Sequence, residues 1–394
     1  MANTIMFVDD ERQILRALNR LFMDSAYETV FMDSGEEGLA YLAENPVQLV
    51  VSDIRMPGMN GIDFLKEVKH RYPTTMRVAL SGYTDSRIIY KALEENVAKM
   101  YLFKPWDNRE LLLTIDRMFR LEEVLTDKKI MDLINNLSDI PTLPTLYHRI
   151  RTMIQEDEDV DRIAEVIEAD QASSAKILRI ANSAFYGAKT GSIAQAIMYI
   201  GLSNVKSIVL SNALFDVKGP LSDSVRLLWK HATLTNRMTS HLYQQALGKK
   251  IPNVFASAGL LHNIGMVVMI SQFPEASLKI AASGPEDPYK AMALERELLG
   301  VTHEELGGYL LNWWELPLPI VESALYHHEP QNDTVINREL LAVVHLANTN
   351  AWIKLGVQRE QDERYTASCE ALGLSAEAVS EYLKAVVLTK DLLD

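Results

Sequence analysis

The chain has 394 residues, of which 48% are hydrophobic and 23% are charged, and its formal net charge is −14. This length suits two or three domains with ample core, and the negative balance argues against nucleic acid or an anionic membrane as a partner recognised by bulk charge. The single cysteine, Cys369, excludes an intramolecular disulfide and fits a reducing compartment. No signal peptide is evident and no apolar run approaches ~18 residues, so we expect a cytoplasmic protein with no membrane segment.

The first third of the chain alternates short apolar runs with amphipathic stretches of helical spacing. The predicted strands are residues 4–8, 28–32, 48–52, 76–81 and 99–103, and the predicted helices between them are residues 11–25, 34–45, 60–72 and 84–96. Nearly continuous apolar strands alternating with helices predict an α/β fold, a doubly wound five-stranded parallel sheet.

Polar residues gather where the predicted strands end. Asp9 and Asp10 follow the first strand, Asp53 follows the third, Ser81 ends the fourth and Lys104 follows the fifth. In such sheets the functional site lies at the carboxyl edge of the strands. Clustered carboxylates are destabilising without a cation among them, and oxygen ligands of this kind suit Mg²⁺. Helix capping would explain any one of these positions, but not this set at four strand ends.

The motifs VDDE, VVSDIRMPGMNG, ALSGYTD and YLFKPWD resemble the receiver domain of two-component response regulators over its whole length. The resemblance implies a flavodoxin-like fold in which Asp53 accepts a phosphoryl group from a cognate histidine kinase. It also implies that Mg²⁺ is held by Asp9, Asp10, Asp53 and the backbone carbonyl of Arg55.

Further roles follow from the same resemblance. Ser81 would bond one phosphoryl oxygen, and Lys104 would neutralise the charge on the equatorial oxygens. Tyr101, three residues before Lys104, occupies the position of the family's aromatic switch residue. The Lys104–Pro105 bond is expected to be cis, as in that family.

A long helical pattern over residues 107–137 follows the predicted sheet. Its apolar stripe comprises Leu111, Ile115, Met118 and Leu125, and it resumes with Ile130, Ile134 and Leu137. One interpretation is the last receiver helix followed by the first helix of the next domain, divided near Asp127. The other is a continuous signalling helix that pairs with a second chain, which would make a homodimer. The prolines of DIPTLPT (139–145) then end the helix.

From residue 145 onward the pattern is helical almost throughout and predicts an all-α bundle. The predicted helices are residues 145–155, 158–169, 172–184, 192–200, 203–215, 222–247, 253–272, 288–299, 302–313 and 317–327. Residues 355–394 carry another amphipathic helix, SAEAVSEYLKAVVLTKDLL. It could cap the bundle or bind a partner, and we favour capping.

Histidines recur along this helical region in an order similar to that of HD-type metal phosphohydrolases. They are His231, His262, His303, His327 and His328. Imidazoles on several helices can converge on a metal, so these five form a candidate vestigial metal site. Any single histidine could instead be a core or surface residue satisfied by its neighbours.

The acids of that pattern are missing. Asn263 follows His262 where the related hydrolases carry an acid, and Asn348 takes the final acidic position. Met266 replaces the lysine of HDIGK, and HHEPQNDT lacks the signature of cyclic-dinucleotide phosphodiesterases. A site for two divalent ions needs bridging carboxylates to offset their charge, so we expect two-metal chemistry to be lost.

The segments DIPTLPTL, IEADQASSAKILRIANSAFYG and IAQAIMYIGLSNVKSIVLSNALF resemble the HDOD (HD-related output) domain. The resemblance runs from about residue 133 to beyond residue 350. It implies an HD-domain-like helical fold related to the metal hydrolases, many members of which lack a full ligand set. It also implies an output module for protein–protein signalling.

These observations predict a receiver domain over residues 1–121, a helical connector over 122–137 and an HDOD domain with a helical tail over 138–394. The function predicted is a response regulator whose phosphorylation at Asp53 switches a non-catalytic output domain that acts on a downstream signalling protein. The alternative is a receiver-gated, metal-dependent phosphohydrolase or phosphodiesterase acting on a nucleotide or cyclic dinucleotide, with a transition metal in the helical domain. A DNA-binding regulator is disfavoured by the acidic balance and by the lack of a recognisable DNA-binding helix.

Overall fold

The computed structural model describes most of the chain, which divides into two compact units, Met1–Asp116 and Arg117–Asp394. The described residues are 3–82, 97–125, 145–181, 190–214, 221–282, 288–314, 316–357 and 361–386. The predicted helix over 84–96, the DIPTLP segment and the second half of the connector stripe, Ile130 to Leu137, lie outside them. The predicted domain boundaries stay a prediction.

The first unit is a five-stranded parallel sheet with helices between the strands, which confirms the predicted fold class. Its strands are β1 (Thr4–Val8), β2 (Glu28–Met32), β3 (Leu49–Asp53), β4 (Met76–Gly82) and β5 (Met100–Lys104). Its helices are α1 (Arg12–Phe22), α2 (Gly35–Glu44), α3 (Gly61–Arg71) and α4 (Asn108–Leu125), the last of which runs into the second unit. Each strand begins and ends within one residue of its predicted bounds.

The strand order, β2-β1-β3-β4-β5, determines where the site lies. All four pairings are parallel, so the carboxyl ends of the strands share one edge. The connections reverse direction between β1 and β3, and this is the crevice where doubly wound sheets bind ligands. Asp9, directly after β1, and Asp53, at the end of β3, therefore become neighbours.

The second unit is entirely helical in its described part. Its helices are α5 (Thr145–Gln155), α6 (Val160–Glu168), α7 (Gln171–Ala181), α8 (Ile193–Ile200), α9 (Leu202–Leu214), α10 (Ser222–Leu247), α11 (Ala258–Leu261), α12 (Ile264–Gln272), α13 (Pro274–Ala282), α14 (Pro288–Leu299), α15 (His303–Trp313), α16 (Leu318–Tyr326), α17 (Arg338–Lys354), α18 (Glu363–Ala371) and α19 (Ala376–Lys384). The second predicted fold class, an all-α bundle, is confirmed.

One predicted helix is wrong. The pattern over residues 253–272 predicts a single helix, but the chain forms a short 3₁₀ turn, then α11, then a break at His262 and Asn263 before α12. Gly259 and Gly265 stand on either side of the break. A Cβ on Gly259 would lie 2.7 Å from the Asn236 Cα, and one on Gly265 would lie 1.9 Å from the His303 carbonyl oxygen. The two glycines thus let the backbones of α11 and α12 approach other helices closely. The spacing of apolar residues in the sequence does not indicate such an approach.

The C-terminal helices complete the core of the second unit, as the capping interpretation expects. Tyr365 and Cys369 of α18 and Val379 and Leu383 of α19 are at most 3% exposed. They belong to one buried cluster with residues of α10 and α17. Neither α17 nor α18 was among the predicted helices.

None of the described helices is long and apolar enough by itself to cross a membrane. The pair Ile193–Ile200 and Leu202–Leu210 reaches that length and composition only when its two members are joined across a 112° bend.

Candidate functional site

Lys104 joins the two acids that follow β1 and end β3. Its Nζ lies 2.7 Å from Asp9 Oδ2 and 2.6 Å from Asp53 Oδ1. Both carboxylates are buried, Asp9 at 1% and Asp53 at 7% exposure. The parallel register pairs Gly82, the last residue of β4, with Lys104, the last residue of β5. The two strands therefore end at the same level. The strand order thus brings together the acid, acid and lysine singled out in the sequence.

The pKa values of this cluster follow from burial and from the lysine. Burial raises the pKa of Asp9 above its ordinary value, while the hydrogen bond from Lys104 acts in the opposite direction. Burial alone would lower the pKa of Lys104, but hydrogen bonds to Asp53 and Asp9 raise it. The lysine is therefore a firmly charged cation beside the Asp53 carboxylate.

The remaining oxygen donors lie next to this cluster. Asp10 is exposed and lines an open groove together with Arg55 and Asn60. The backbone N–H of Arg55 donates to Asp53 Oδ2 at 2.8 Å, which fixes the carboxylate relative to the loop after β3. Carboxylates at three positions beside a backbone carbonyl form a donor set that fits a hard divalent cation such as Mg²⁺.

The other predicted receiver residues lie on the last two strands. Ser81 is 1% exposed near the end of β4. Tyr101 is half-buried on β5, with its ring 4.9 Å from that of Phe103. The Lys104–Pro105 peptide bond is cis, as the family resemblance implies. Sequence reasoning missed Gly61 at the start of α3, where a Cβ would lie 1.7 Å from the Asp53 carbonyl oxygen.

In the second unit the five predicted histidines form one connected series of buried rings. Ring centroids are 5.3 Å apart for His231 and His262, 4.9 Å for His262 and His327, and 4.1 Å for His327 and His328. The His303 ring lies 5.4 Å from both His327 and His328. The histidines singled out in the sequence therefore converge.

The series has two ends of different character. At one end a ring nitrogen of each of His303, His327 and His328 lies within 4.8 Å of the others, a spacing that could hold a metal ion. The His327 ring is oriented by its Nδ1, 3.1 Å from the Ala324 carbonyl oxygen, and its Nε2 has no hydrogen-bond partner among the described residues. This end presents imidazole nitrogen, the donor that Zn²⁺ and Fe²⁺ accept.

Two buried glutamates accompany this end, and sequence reasoning missed both. Glu295 of α14 accepts from the backbone N–H of His303 at 2.8 Å and lies 2.9 Å from its Nδ1. Glu304 of α15 accepts from the His328 N–H at 3.0 Å, and its Oε1 lies 3.6 Å from His327 Nδ1. The dipeptide His303-Glu304 was the one signal in the sequence that could have indicated an acid here.

The two acids differ in charge. Burial alone would raise the pKa of Glu295, but the charge and hydrogen bonds of His303 lower it below its ordinary value. Burial raises the pKa of Glu304 to about 8, since the opposing influence of His303 is smaller. Glu295 is therefore an ionised partner of His303 at neutral pH, whereas Glu304 is mostly protonated.

At the other end of the series Asn348 contacts two of the histidines, His262 and His231. His262 Nδ1 is 2.8 Å from the Gly259 carbonyl oxygen, and its Nε2 is 3.2 Å from the Asn348 side-chain amide. An amide offers both an acceptor and donors, so it can complement a neutral imidazole in either tautomer, which a carboxylate cannot. His231 Nε2 lies 3.2 Å from the Asn348 carbonyl oxygen, and its ring stacks on Trp352 at 3.9 Å.

His262 gives the second unit a predictable sensitivity to acid. Burial lowers its pKa to about 4, so between about pH 6.5 and pH 4 the unfolded chain binds a proton that the folded chain does not. The free energy of unfolding of the second unit should therefore fall as the pH drops from about 6.5 to about 4, and His262 should account for up to about 3 kcal/mol of that fall. Urea unfolding followed by helical circular dichroism at several pH values should show a shallower decline for His262→Gln. His148→Gln, at an exposed position, should match the wild type, and equal slopes for all three proteins would contradict the expectation.

Comparisons with known proteins agree with both units. Residues 5–116 match the family model of the response regulator receiver domain, and residues 140–330 match that of the HDOD domain. The chain therefore contains a domain of the response regulator receiver family. A domain of the HDOD family follows it.

Several known proteins are similar to part of the chain. The hydrogenase transcriptional regulatory protein HoxA of Cupriavidus necator is 35% identical over 130 residues, 33% of this chain and 27% of that protein. An uncharacterized protein of Treponema pallidum is 26% identical over 259 residues, 65% of this chain and 50% of that protein. The chain thus spans a quarter to a half of the length of these curated relatives. An HDOD domain protein of unknown function from Geobacter sulfurreducens is 25% identical with a TM-score of 0.50, covering 68% of this chain and 98% of that one.

Proposed function

We propose that Asp53 is the phosphorylation site of this response regulator and that its modification switches the HDOD domain. The observation that carries the proposal is the contact of Lys104 Nζ with Asp53 Oδ1 at 2.6 Å, next to the buried Asp9. A carboxylate held beside a lysine at the carboxyl edge of a parallel sheet is a nucleophile whose product charge is already countered.

In phosphoryl transfer to Asp53 the protein acts mainly by positioning the reacting groups and by neutralising charge. One oxygen of Asp53 forms a bond to phosphorus while the bond from phosphorus to the donor imidazole nitrogen breaks, and that nitrogen keeps the electron pair. Lys104 neutralises the charge on the transferred group. Ser81, at the end of the adjacent strand β4, would bond a phosphoryl oxygen.

Asp9, Asp10, Asp53 and the Arg55 carbonyl would hold Mg²⁺ at this edge of the sheet. When bound, Mg²⁺ neutralises the phosphoryl oxygens. The direct test is to label the full-length chain with a small phosphodonor and to locate the label by mass spectrometry. A label on Asp53 that requires Mg²⁺ supports the proposal, and a label on another residue would overturn it.

We further propose that the HDOD domain signals by protein–protein interaction and not as a two-metal hydrolase. The supporting observation is that Asn348 already completes the hydrogen bonding of His262. Asn263, the other substituted acid, is 2% exposed and offers a neutral oxygen where a metal pair would need a negative one. Losing two anionic ligands in a buried site costs several kcal/mol of ion binding.

A second candidate function rests on the opposite end of the histidine series. His303, His327 and His328 could hold one transition-metal ion, with Glu304 as a nearby carboxyl group. Such a site would resemble a three-ligand catalytic centre with an open position. It would support receiver-gated hydrolysis of a phosphodiester by a single ion.

Elemental analysis of the purified full-length chain distinguishes these functions. We expect at most one equivalent of transition metal and no turnover of cyclic dimeric GMP or a phosphodiester dye, because among the described residues only His303, His327 and His328 bring three ring nitrogens close enough to share one ion. His327→Gln should remove any bound metal, and the exposed His148→Gln should not. Two equivalents of metal would contradict the loss of the two-metal site. Turnover that disappears in His327→Gln would contradict the non-catalytic output.

A further inference from the structure

The second unit contains an apolar cavity that reaches the histidine series and is independent of the phosphorylation site. Its volume is about 220 Å³, and it lies between α10, α12, α13 and α14. Aliphatic side chains dominate its wall, among them Leu228, Met269 and Ile280. His303, His328 and Trp352 also line it.

The cavity carries two polar groups that have no partner. Asn263 is 2% exposed and Ser277 is 7% exposed, and both line the cavity. Neither Asn263 Oδ1 nor Ser277 Oγ has a hydrogen-bond partner within the described part of the chain. Buried polar atoms are nearly always satisfied, so two such atoms facing one apolar space indicate a ligand with hydrogen-bonding capacity.

The charge of the wall restricts what that ligand can be. Among the described residues that line the cavity, Glu295 is the one acid, and none is a lysine or an arginine. Its carboxylate is already engaged by the backbone and ring of His303. An anionic head group would therefore meet the Glu295 carboxylate, whose partner His303 is already engaged with it, and no lysine or arginine among the described lining residues, which disfavours carboxylates and phosphates.

We infer that this cavity binds a small uncharged amphiphile, with an apolar body in the aliphatic space and a hydroxyl or amide head that donates to Asn263. The size follows from the volume. An apolar cavity of about 150 Å³ accommodates benzene, so one of this volume takes roughly nine non-hydrogen atoms. Asn263 then has a role that an acid could not fill, because the amide leaves this part of the wall uncharged.

Binding of 1-octanol to the full-length chain, followed by calorimetry and by the shift in unfolding temperature, tests the inference. Octanoate is the matched anionic probe and should bind at least tenfold more weakly than 1-octanol. Octanoate binding as well as 1-octanol, or no binding of 1-octanol to the wild type, would overturn the proposal.

Two alanines on α14 give a matched pair of variants. Ala291 lines the cavity and Ala293, two residues along, is exposed. Ala291→Phe should fill the space and reduce 1-octanol affinity at least tenfold, while Ala293→Phe should leave it unchanged. Equal affinities for the two variants would show that the probe binds elsewhere.

Asn263→Leu is a second variant that tests binding in this cavity, and it serves if Ala291→Phe does not fold. It removes the unpartnered oxygen with little change in side-chain size, so the fold should survive. We expect it to weaken 1-octanol binding about tenfold but to leave binding of the matched hydrocarbon 1-octene unchanged. Unchanged binding of 1-octanol would contradict the assigned role of Asn263.

Discussion

We expect Asp53→Asn to lower the rate at which acetyl phosphate labels the full-length chain by at least about 100-fold. An amide has the shape of the carboxylate but no anionic oxygen to attack phosphorus, so the nucleophile itself is removed. The fold should persist, because the Asp53 side chain contributes contacts with Lys104 and the Arg55 N–H that an amide oxygen can partly retain.

Asp33→Asn is the matched control, since Asp33 follows β2 as Asp53 ends β3 and both therefore lie at the carboxyl edge of the sheet. Asp33 forms an exposed ion pair with Arg12 at 3.4 Å and does not contact Lys104 in the described structure. Its substitution should leave labelling within about twofold of the wild type, since exposed ion pairs contribute little. Persistent labelling of Asp53→Asn, or equal loss in Asp33→Asn, would show that another residue is the acceptor.

The receiver half could be predicted almost residue by residue, for a physical reason. In a parallel sheet every strand presents its carboxyl end at one edge, so Asp9, Asp53 and Lys104 are brought together by strand order alone. The strand runs and the polar residues after them are both visible in the sequence. The role of Gly61 was not predicted, because its close approach to the Asp53 backbone depends on how α3 begins.

The HDOD half was predictable only in part. The histidines were found because their order along the chain is similar to that of HD-type metal phosphohydrolases. Glu295 and Glu304 were missed because their contacts depend on how closely α14 and α15 approach and on where α16 ends. No periodicity encodes that approach. The break at His262 and Asn263 was missed for the same reason, since the flanking glycines resemble ordinary small residues of a helix.

Gly265→Ala should lower the free energy of unfolding of the second unit by about 3 kcal/mol or more. A Cβ at this position would lie 1.9 Å from the His303 carbonyl oxygen and 2.8 Å from the Gly307 backbone nitrogen. Both atoms belong to the backbone of α15, so no side-chain rotation relieves the clash, and α12 must move away from α15. That movement would separate Asn263 from His303 and open both the histidine series and the apolar cavity.

The direction of the change in stability distinguishes a steric clash at position 265 from an effect of helix propensity. Gly265 lies in the first turn of α12, where alanine is the better helix former by up to about 1 kcal/mol, so helix propensity alone predicts stabilisation. Gly191→Ala is the control, because a Cβ there would meet nothing within 4 Å, and its effect should stay within about 0.5 kcal/mol. Urea unfolding monitored by helical circular dichroism measures both variants. A Gly265→Ala chain as stable as the wild type would mean that α12 and α15 do not approach as closely as the structure places them. The cavity that Asn263 and His303 line together would then lose its structural basis.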